Sequence, residues 1–231
     1  TYGTGCFCIM NTGKKPVISK NKMLTTIAWS IKNETTYAIE GSVFIAGALV
    51  QWLRDQLNIV KSAPEIEHLA KTVKNNGGVT FIPALSGLGA PFWDPHATGA
   101  IMGITRGTKK GHIARAALES IALRSRDIIL EMEKDANTKF HSLKVDGGAS
   151  KNNLLMQIQA DLLKTKVIRP KITETTALGA AFFSGLSTEF WPSINSINDM
   201  WEEDQSFVPK LSDSKSNIIS MWEKRVLKVL S

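Results

Sequence analysis

Cysteine is scarce in this 231-residue chain, which has only Cys6 and Cys8. They lie two apart in what reads as a strand, where a bond between them would distort the backbone, so reduced, buried thiols are expected and a disulfide framework is excluded. No histidine pair or second cysteine pair stands nearby to complete a metal site. Long apolar runs are missing too. Nothing approaches the roughly 18 consecutive apolar residues of a membrane helix, and the chain does not open on a basic segment followed by an apolar one. The expectation is a soluble, cytoplasmic protein with no membrane contact.

Also absent is a basic run interleaved with aromatics. The net charge is +7, but the lysines are scattered through Lys14-Lys15, Lys20, Lys22, Lys109-Lys110 and Lys224-Arg225. That pattern argues against a nucleic-acid partner and suits the attraction of a small anion or a solvated basic surface. Two familiar phosphate motifs fail on inspection. Gly103-Ile104-Thr105-Arg106-Gly107-Thr108-Lys109 has the wrong spacing for a P-loop and no Gly-Lys-Ser/Thr ending. Gly87-Leu88-Gly89 lacks the third glycine of a dinucleotide fingerprint and does not sit between a strand and a helix.

What is present is a composition fit for a globular core, 43% hydrophobic, without repeats or low-complexity tracts. The chain opens on Thr1-Tyr2-Gly3 without a methionine, in sequence that already looks structured, and is expected to be part of a longer protein. Short β-branched runs, Gly5 to Met10, Leu24 to Ile31 and Thr36 to Ile39, alternate with turn residues, among them Asn11-Thr12-Gly13, and predict an antiparallel three-stranded meander. Val43, Ala46, Val50, Leu53 and Leu57 lay one apolar stripe along a helix predicted from about Ser42 to Leu57. A polar surface helix over 64–73 and a strand over 79–84 follow, then a loop at 86–95 that is too rich in Gly and Pro for regular structure. Leu118, Ile121, Ala122, Ser125, Ile128, Ile129 and Met132 mark the buried face of the longest helix. Two strand-turn-helix units then run from Leu143 to Lys164 and from Val167 to Ser187, before a final helix from about Asp213. The whole predicts an α/β domain with a mixed sheet and flanking helices, residues 1–190, and a helical extension of the same domain over 191–231.

Three places could hold a ligand. Gly3-Thr4-Gly5 makes a bend in which backbone N–H groups can point the same way and the Thr4 hydroxyl adds a donor, as a phosphate oxygen requires; a plain turn is the bland alternative. Val145-Asp146-Gly147-Gly148 ends a buried strand just before a helix, so a ligand can approach the backbone there. Asn152 either caps that helix or bonds to a base or ribose. Gly47, in the middle of the predicted helix, costs about 1 kcal/mol against alanine and asks for a reason; with Gln51 one turn on, close packing and a flat base are both open.

These stretches carry a resemblance. Thr1-Tyr2-Gly3-Thr4-Gly5-Cys6-Phe7, the Gly47–Gln51 segment, Gly87-Leu88-Gly89-Ala90-Pro91-Phe92-Trp93-Asp94-Pro95 and Val145-Asp146-Gly147-Gly148 resemble the C-terminal half of the glycerol-phosphorylating members of the FGGY carbohydrate kinase family. Gly99-x-Ile101-x-Gly103-Ile104 followed by His112-Ile113-x-x-Ala116-Ala117-Leu118-Glu119 is similar to that family's signature. The resemblance implies a ribonuclease H-like domain of the actin and hexokinase type, with ATP and Mg²⁺ as cofactors and glycerol 3-phosphate as product. It implies that Thr4 meets the terminal phosphates, that Gly47 and Gln51 line the nucleotide pocket, that Gly148 and Asn152 hold the adenosine, and that Phe7 packs against glycerol. It places the proton-accepting acid, and so every catalytic residue, in an N-terminal half that would be this chain's partner. His112 and Glu119 read as helix-face residues without chemistry. Xylulose and gluconate kinases, and a non-catalytic nucleotide-binding relative, are the alternatives. Oligomeric state stays open, a homo-oligomer included.

Overall fold

The structure, a computed structural model, describes residues 1–210 and 213–231. Its first sheet is built from β1 (Cys6–Gly13), β2 (Leu24–Ile31) and β3 (Glu34–Val43). The expected strands are there, but the meander is not, because β3 lies in the middle, in the order β1-β3-β2. Lys32 and Asn33, at φ 48° and 67°, supply the two left-handed residues that a tight β2–β3 hairpin needs. Strand β1 pairs antiparallel with β3, Phe7 facing Ser42 and Ile9 facing Glu40. The Asn11-Thr12-Gly13 cluster, expected as a turn, instead continues β1 through an irregularity between Asn11 and Gly13. Asn and Gly serve a bulge as readily as a turn, and only the partner strand decides between them.

Strand alternation turns Cys6 and Met10 into the core and leaves Phe7 and Ile9 at 42% and 60% exposure on the other face. Cys6 is buried and Cys8 half-buried, both as free thiols. Burial pushes the Cys8 thiol up to about 12, so it stays protonated at neutral pH.

The next elements are α1 (Gly47–Asp55), α2 (Glu65–Lys71), β4 (Thr80–Ile82) and β5 (Ala100–Met102). Strands β4 and β5 form a separate antiparallel pair. Through the centre runs α3 (Lys110–Ala136), whose 27 residues make a rod about 40 Å long. The stripe expected on it, from Leu118 to Met132, is buried throughout. Asn137, in the left-handed conformation at φ 48°, ends it.

After α3 come β6 (Ser142–Lys144), α4 (Asn153–Leu163), β7 (Lys166–Pro170), α5 (Thr175–Ser187), α6 (Ile194–Asn198), β8 (Glu203–Phe207) and α7 (Asp213–Val226). Strand β6 runs parallel to β7, while β8 pairs antiparallel to it, which gives the mixed sheet. Strand β8 and α6 escape the sequence pattern. Glu203-Asp204-Gln205-Ser206 shows no apolar alternation, because β8 is an edge strand exposed along most of its length. The tail is nevertheless built into the core: Trp222 of α7 is fully buried and donates its indole N–H to Asp127 Oδ2 at 3.0 Å.

The 86–95 segment is irregular, as expected, and is pinned from both sides. From α3, the buried guanidinium of Arg124 donates Nη2–H to Ala90 O at 2.7 Å and lies 4.9 Å over the Phe92 ring. Within the loop, Asp94 accepts the amides of His96 and Ala97, and it also accepts the Ser231 amide, which holds its carboxyl below the usual range. Among the described residues no helix is long and apolar enough to cross a membrane.

Candidate functional site

The two glycine bends meet in space. In the first, Gly3 N–H donates to Gly5 O at 2.9 Å and closes a tight turn. Its carbonyls point at the start of α1: Thr4 O accepts Ala46 N–H at 2.9 Å and Ala48 N–H at 3.0 Å, and Gly3 O accepts Gly47 N–H at 2.9 Å. The bend therefore satisfies amides that a helix N-terminus would otherwise leave unpaired. Gly47 is accordingly not in mid-helix. Ser42 and Val43 belong to β3, and α1 starts at Gly47 itself. A Cβ on Gly47 would stand 2.6 Å from Gly3 O, so close backbone approach is the reason for this glycine.

Tyr2 fastens the first bend to the second. Its N–H donates to Asp146 O at 2.8 Å and its carbonyl accepts Ala149 N–H at 2.9 Å. Gly147, at φ 83°, permits this approach, since a Cβ there would stand 2.6 Å from Tyr2 O. The Tyr2 hydroxyl is locked in the core, donating to Gln159 Oε1 at 2.7 Å.

Between the bends opens a cavity of about 540 Å³, and Thr4, Gly47, Gln51, Gly148 and Asn152 all line it. Val50, Ile66, Leu118, Ile121 and Leu155 make an apolar lining, and Gln51, Glu67, His68 and Lys151 supply polar groups. A slot of this size with a few polar groups is the usual shape of a small-molecule site. Among the described residues no protein group bonds the amide or hydroxyl of Thr4 or the amide of Gly148. Gly148 differs from Gly147 in kind: a Cβ there meets nothing within 4 Å, so its missing side chain leaves room for a ligand and not for protein.

Asn152 does what the capping alternative requires. Its Oδ1 accepts Leu155 N–H at 2.9 Å and caps α4, while Nδ2 has no protein partner among the described residues. The side chain can thus cap with one end and donate to a ligand with the other. Phe7 lies elsewhere, lining a second cavity of about 480 Å³ with Tyr2, Cys6 and Asp146. His112 and Glu119 are structural. His112 Nδ1 accepts Lys109 N–H at 3.0 Å at the start of α3, and Glu119 is buried between Asn76 Nδ2 at 2.8 Å and Arg115 Nε at 3.1 Å. Burial pushes the Glu119 carboxyl above its ordinary range. Among the described residues no group of three His, Cys, Asp or Glu could hold a metal ion.

Sequence reasoning missed Glu67 and His68. They sit on α2, which reads as an ordinary polar surface helix, and nothing in its pattern marks the side that closes the cavity.

A mixed sheet flanked by helices, with a ligand slot between two glycine bends, is the architecture of the ribonuclease H-like domains of actin- and hexokinase-type ATPases, and solved kinases of this fold superpose on the chain. Residues 1–187 match the model of the C-terminal domain of the FGGY family of carbohydrate kinases, and the chain belongs to that family. It is 55% identical over 227 residues to a glycerol kinase of Deinococcus radiodurans, covering 98% of this chain and 45% of that protein. A glycerol kinase of Borreliella burgdorferi is 55% identical over 233 residues, covering 100% of this chain and 46% of that protein. Among solved structures, a Plasmodium falciparum glycerol kinase with ADP superposes at TM-score 0.91 with 36% identity, over 100% of this chain and 46% of that one. A gluconate kinase from Lactobacillus acidophilus, at TM-score 0.81 and 22% identity over 99% of this chain and 45% of that one, shares the fold. The chain thus spans about half the length of the relatives it matches.

Proposed function

We propose that this chain is the nucleotide-holding half of a kinase that moves the terminal phosphoryl group of ATP to glycerol, giving glycerol 3-phosphate. One observation carries the reading: Thr4, Gly47, Gln51, Gly148 and Asn152, which come from separate parts of the sequence, line one cavity, where the donors of Thr4 and Gly148 have no protein partner among the described residues. Free backbone amides beside a hydroxyl suit phosphate oxygens, and the apolar lining suits a flat base.

In this reading Thr4 donates to the terminal phosphates through its amide and hydroxyl. Gly148 lets the adenosine lie against the backbone, Asn152 Nδ2 donates to it, and Gln51 faces it from α1. Gly47 acts indirectly, by letting the first bend seat on α1. Mg²⁺ would arrive on the phosphates, as it commonly does when one or two carboxylates complete its shell, because no cage for it exists among the described residues. Phe7, exposed on the outer face of β1, is the side chain that would pack against the carbon skeleton of glycerol.

The acid that takes the hydroxyl proton, the first phosphate loop and most polyol contacts would come from a partner half. Glycerol is favoured over xylulose and gluconate because the glycerol kinases are the relatives at 55% identity, whereas a gluconate kinase at 22% shares only the fold. We divide the chain into a core over 1–190 and an extension over 191–231 that adds β8 and α7 to the same domain.

Calorimetric titration with ADP tests the reading. The chain is expected to bind ADP weakly, and Gly148→Trp to lower the affinity at least about 100-fold, or about 2.7 kcal/mol, with an unchanged thermal midpoint because the indole enters empty space. Equal affinities for the two proteins would remove the cavity from consideration as the nucleotide site.

A further inference from the structure

Two walls of the cavity, α2 and the start of α4, are joined by a single side chain. Glu67 Oε2 accepts the Asn153 N–H at 3.1 Å, and its Oε1 accepts Lys71 Nζ at 2.5 Å. Among the described residues no other hydrogen bond or ion pair spans from α2 to α4. Glu67 itself lines the cavity, its side chain only 17% exposed. The amide it holds belongs to the residue after Asn152, and Asn152 already holds Leu155 N–H. The first turn of α4 therefore has its unpaired donors met from two sides, by its own cap and by a carboxylate reaching across the slot.

Helix α2 does not need this contact to fold. Ile66 and Ala70 are buried, and Gly111 of α3 packs so closely that a Cβ on it would meet Thr72 Oγ1 at 2.5 Å and Leu69 O at 3.0 Å. What the carboxylate fixes is the separation of α2 from the turn that carries Gly148 and Asn152. A slot of fixed width favours a flat double ring, whereas a loosened one loses contact on both faces of the base.

We propose that Glu67 is a positioning residue for nucleotide binding, a strap that sets the width of the base slot and orients Asn152. The inference rests on the nucleotide reading of the cavity. It is tested with Glu67→Ala, Glu67→Gln and Lys71→Ala in the whole chain, by calorimetry with ADP and CDP and by hydrogen exchange of the ligand-free protein. In Glu67→Ala the Asn153 amide is expected to exchange about tenfold faster, ADP affinity to fall about tenfold, and the preference for ADP over CDP to shrink, with the thermal midpoint barely moved. Glu67→Gln keeps an acceptor for Asn153 N–H and is expected to restore affinity to within about threefold, and Lys71→Ala to behave as wild type.

If Glu67→Gln is as weak as Glu67→Ala, the negative charge acts on the ligand directly and the strap is refuted. If ADP affinity holds while Asn153 exchanges freely, the strap exists but does not position the nucleotide, and the proposal falls. Should the wild-type chain fail to bind ADP while exchange at Asn153 still responds to Glu67, the nucleotide reading falls first and takes the assigned role with it.

Discussion

Given ATP, Mg²⁺ and glycerol, the 231-residue chain on its own is expected to form no glycerol 3-phosphate above the uncatalysed background. Phosphoryl transfer depends on aligning donor and acceptor and on neutralising charge, with a base placed for the acceptor hydroxyl. In-line placement contributes about 7–11 kcal/mol in well-oriented systems and a positioned base a further 10²–10⁴-fold or so. On the proposed division of labour, both would come from the partner half. Among the described residues Glu67 is the only carboxylate lining the cavity, and it is held by Lys71 and the Asn153 amide. Asp146, in the second bend, is taken by the Thr175 hydroxyl. The side on which glycerol would lie is instead an exposed apolar face, with Phe7, Ile9, Phe44 and Trp93 all more than 40% exposed. A coupled assay for glycerol-dependent ADP release is the measurement. Kinases typically turn over at about 1–100 s⁻¹, and the chain is expected at least about 10⁶-fold lower. Turnover within tenfold of that range would mean that the acid lies in this half and that the division of labour is wrong.

The second large effect is on stability. Arg124→Met is expected to destabilise the chain by about 3–5 kcal/mol, because it keeps the volume but strips a buried network of its cation. Arg124 is 1% exposed, and its Nη1 donates to Asp127 Oδ2 at 3.1 Å. Losing it leaves Ala90 O without its donor and, among the described residues, Asp127 with only the Trp222 indole. The loop over 86–95 would loosen from α3, and with it Gly89, which packs so closely on β3 that a Cβ there would stand 2.7 Å from Ser42 O.

The pH dependence distinguishes this from lost packing. Burial pushes the Asp127 carboxyl up to about 6, even against the pull of Arg124. A carboxyl raised on folding adds stability that is complete below its ordinary value near 4 and is lost as pH rises through about 6. Removing Arg124 raises it further, so the penalty should be largest near pH 8 and smaller near pH 5, where Asp127 is protonated in both proteins. Urea unfolding at the two pH values reads this directly. A loss below about 1 kcal/mol, or one independent of pH, would show that the ion pair adds nothing beyond volume.

How far the site could be seen in advance differs from residue to residue. Thr4 and Gly148 stand out in the sequence because a glycine-rich bend can turn free amides toward an anion, with a plain turn at Thr4 left open by the residues alone. Gly47 reads as a mid-helix glycine because the apolar stripe continues back through Ala46 and Val43, whereas Val43 belongs to β3 and Gly47 opens α1. Asn152 carries two readings, and the geometry satisfies capping with Oδ1 while Nδ2 has no protein partner among the described residues. Glu67 carried no signal, since a glutamate on a short polar helix is ordinary until its neighbour across a cavity is known.

The amino-acid sequence by itself determined the long central helix, the loop at 86–95, the strands of the first sheet and the two glycine bends, because periodicity and turn chemistry act between residues close along the chain. Tertiary structure alone decided that β3 lies between β1 and β2, that the polar strand β8 completes the mixed sheet with β6 and β7, and that α2 closes the slot. These depend on which distant partner takes up each backbone hydrogen bond and each buried face. Asp146 accepting the amide of Tyr2, and Asn153 donating to Glu67, are contacts whose energy exists only once the intervening chain has folded.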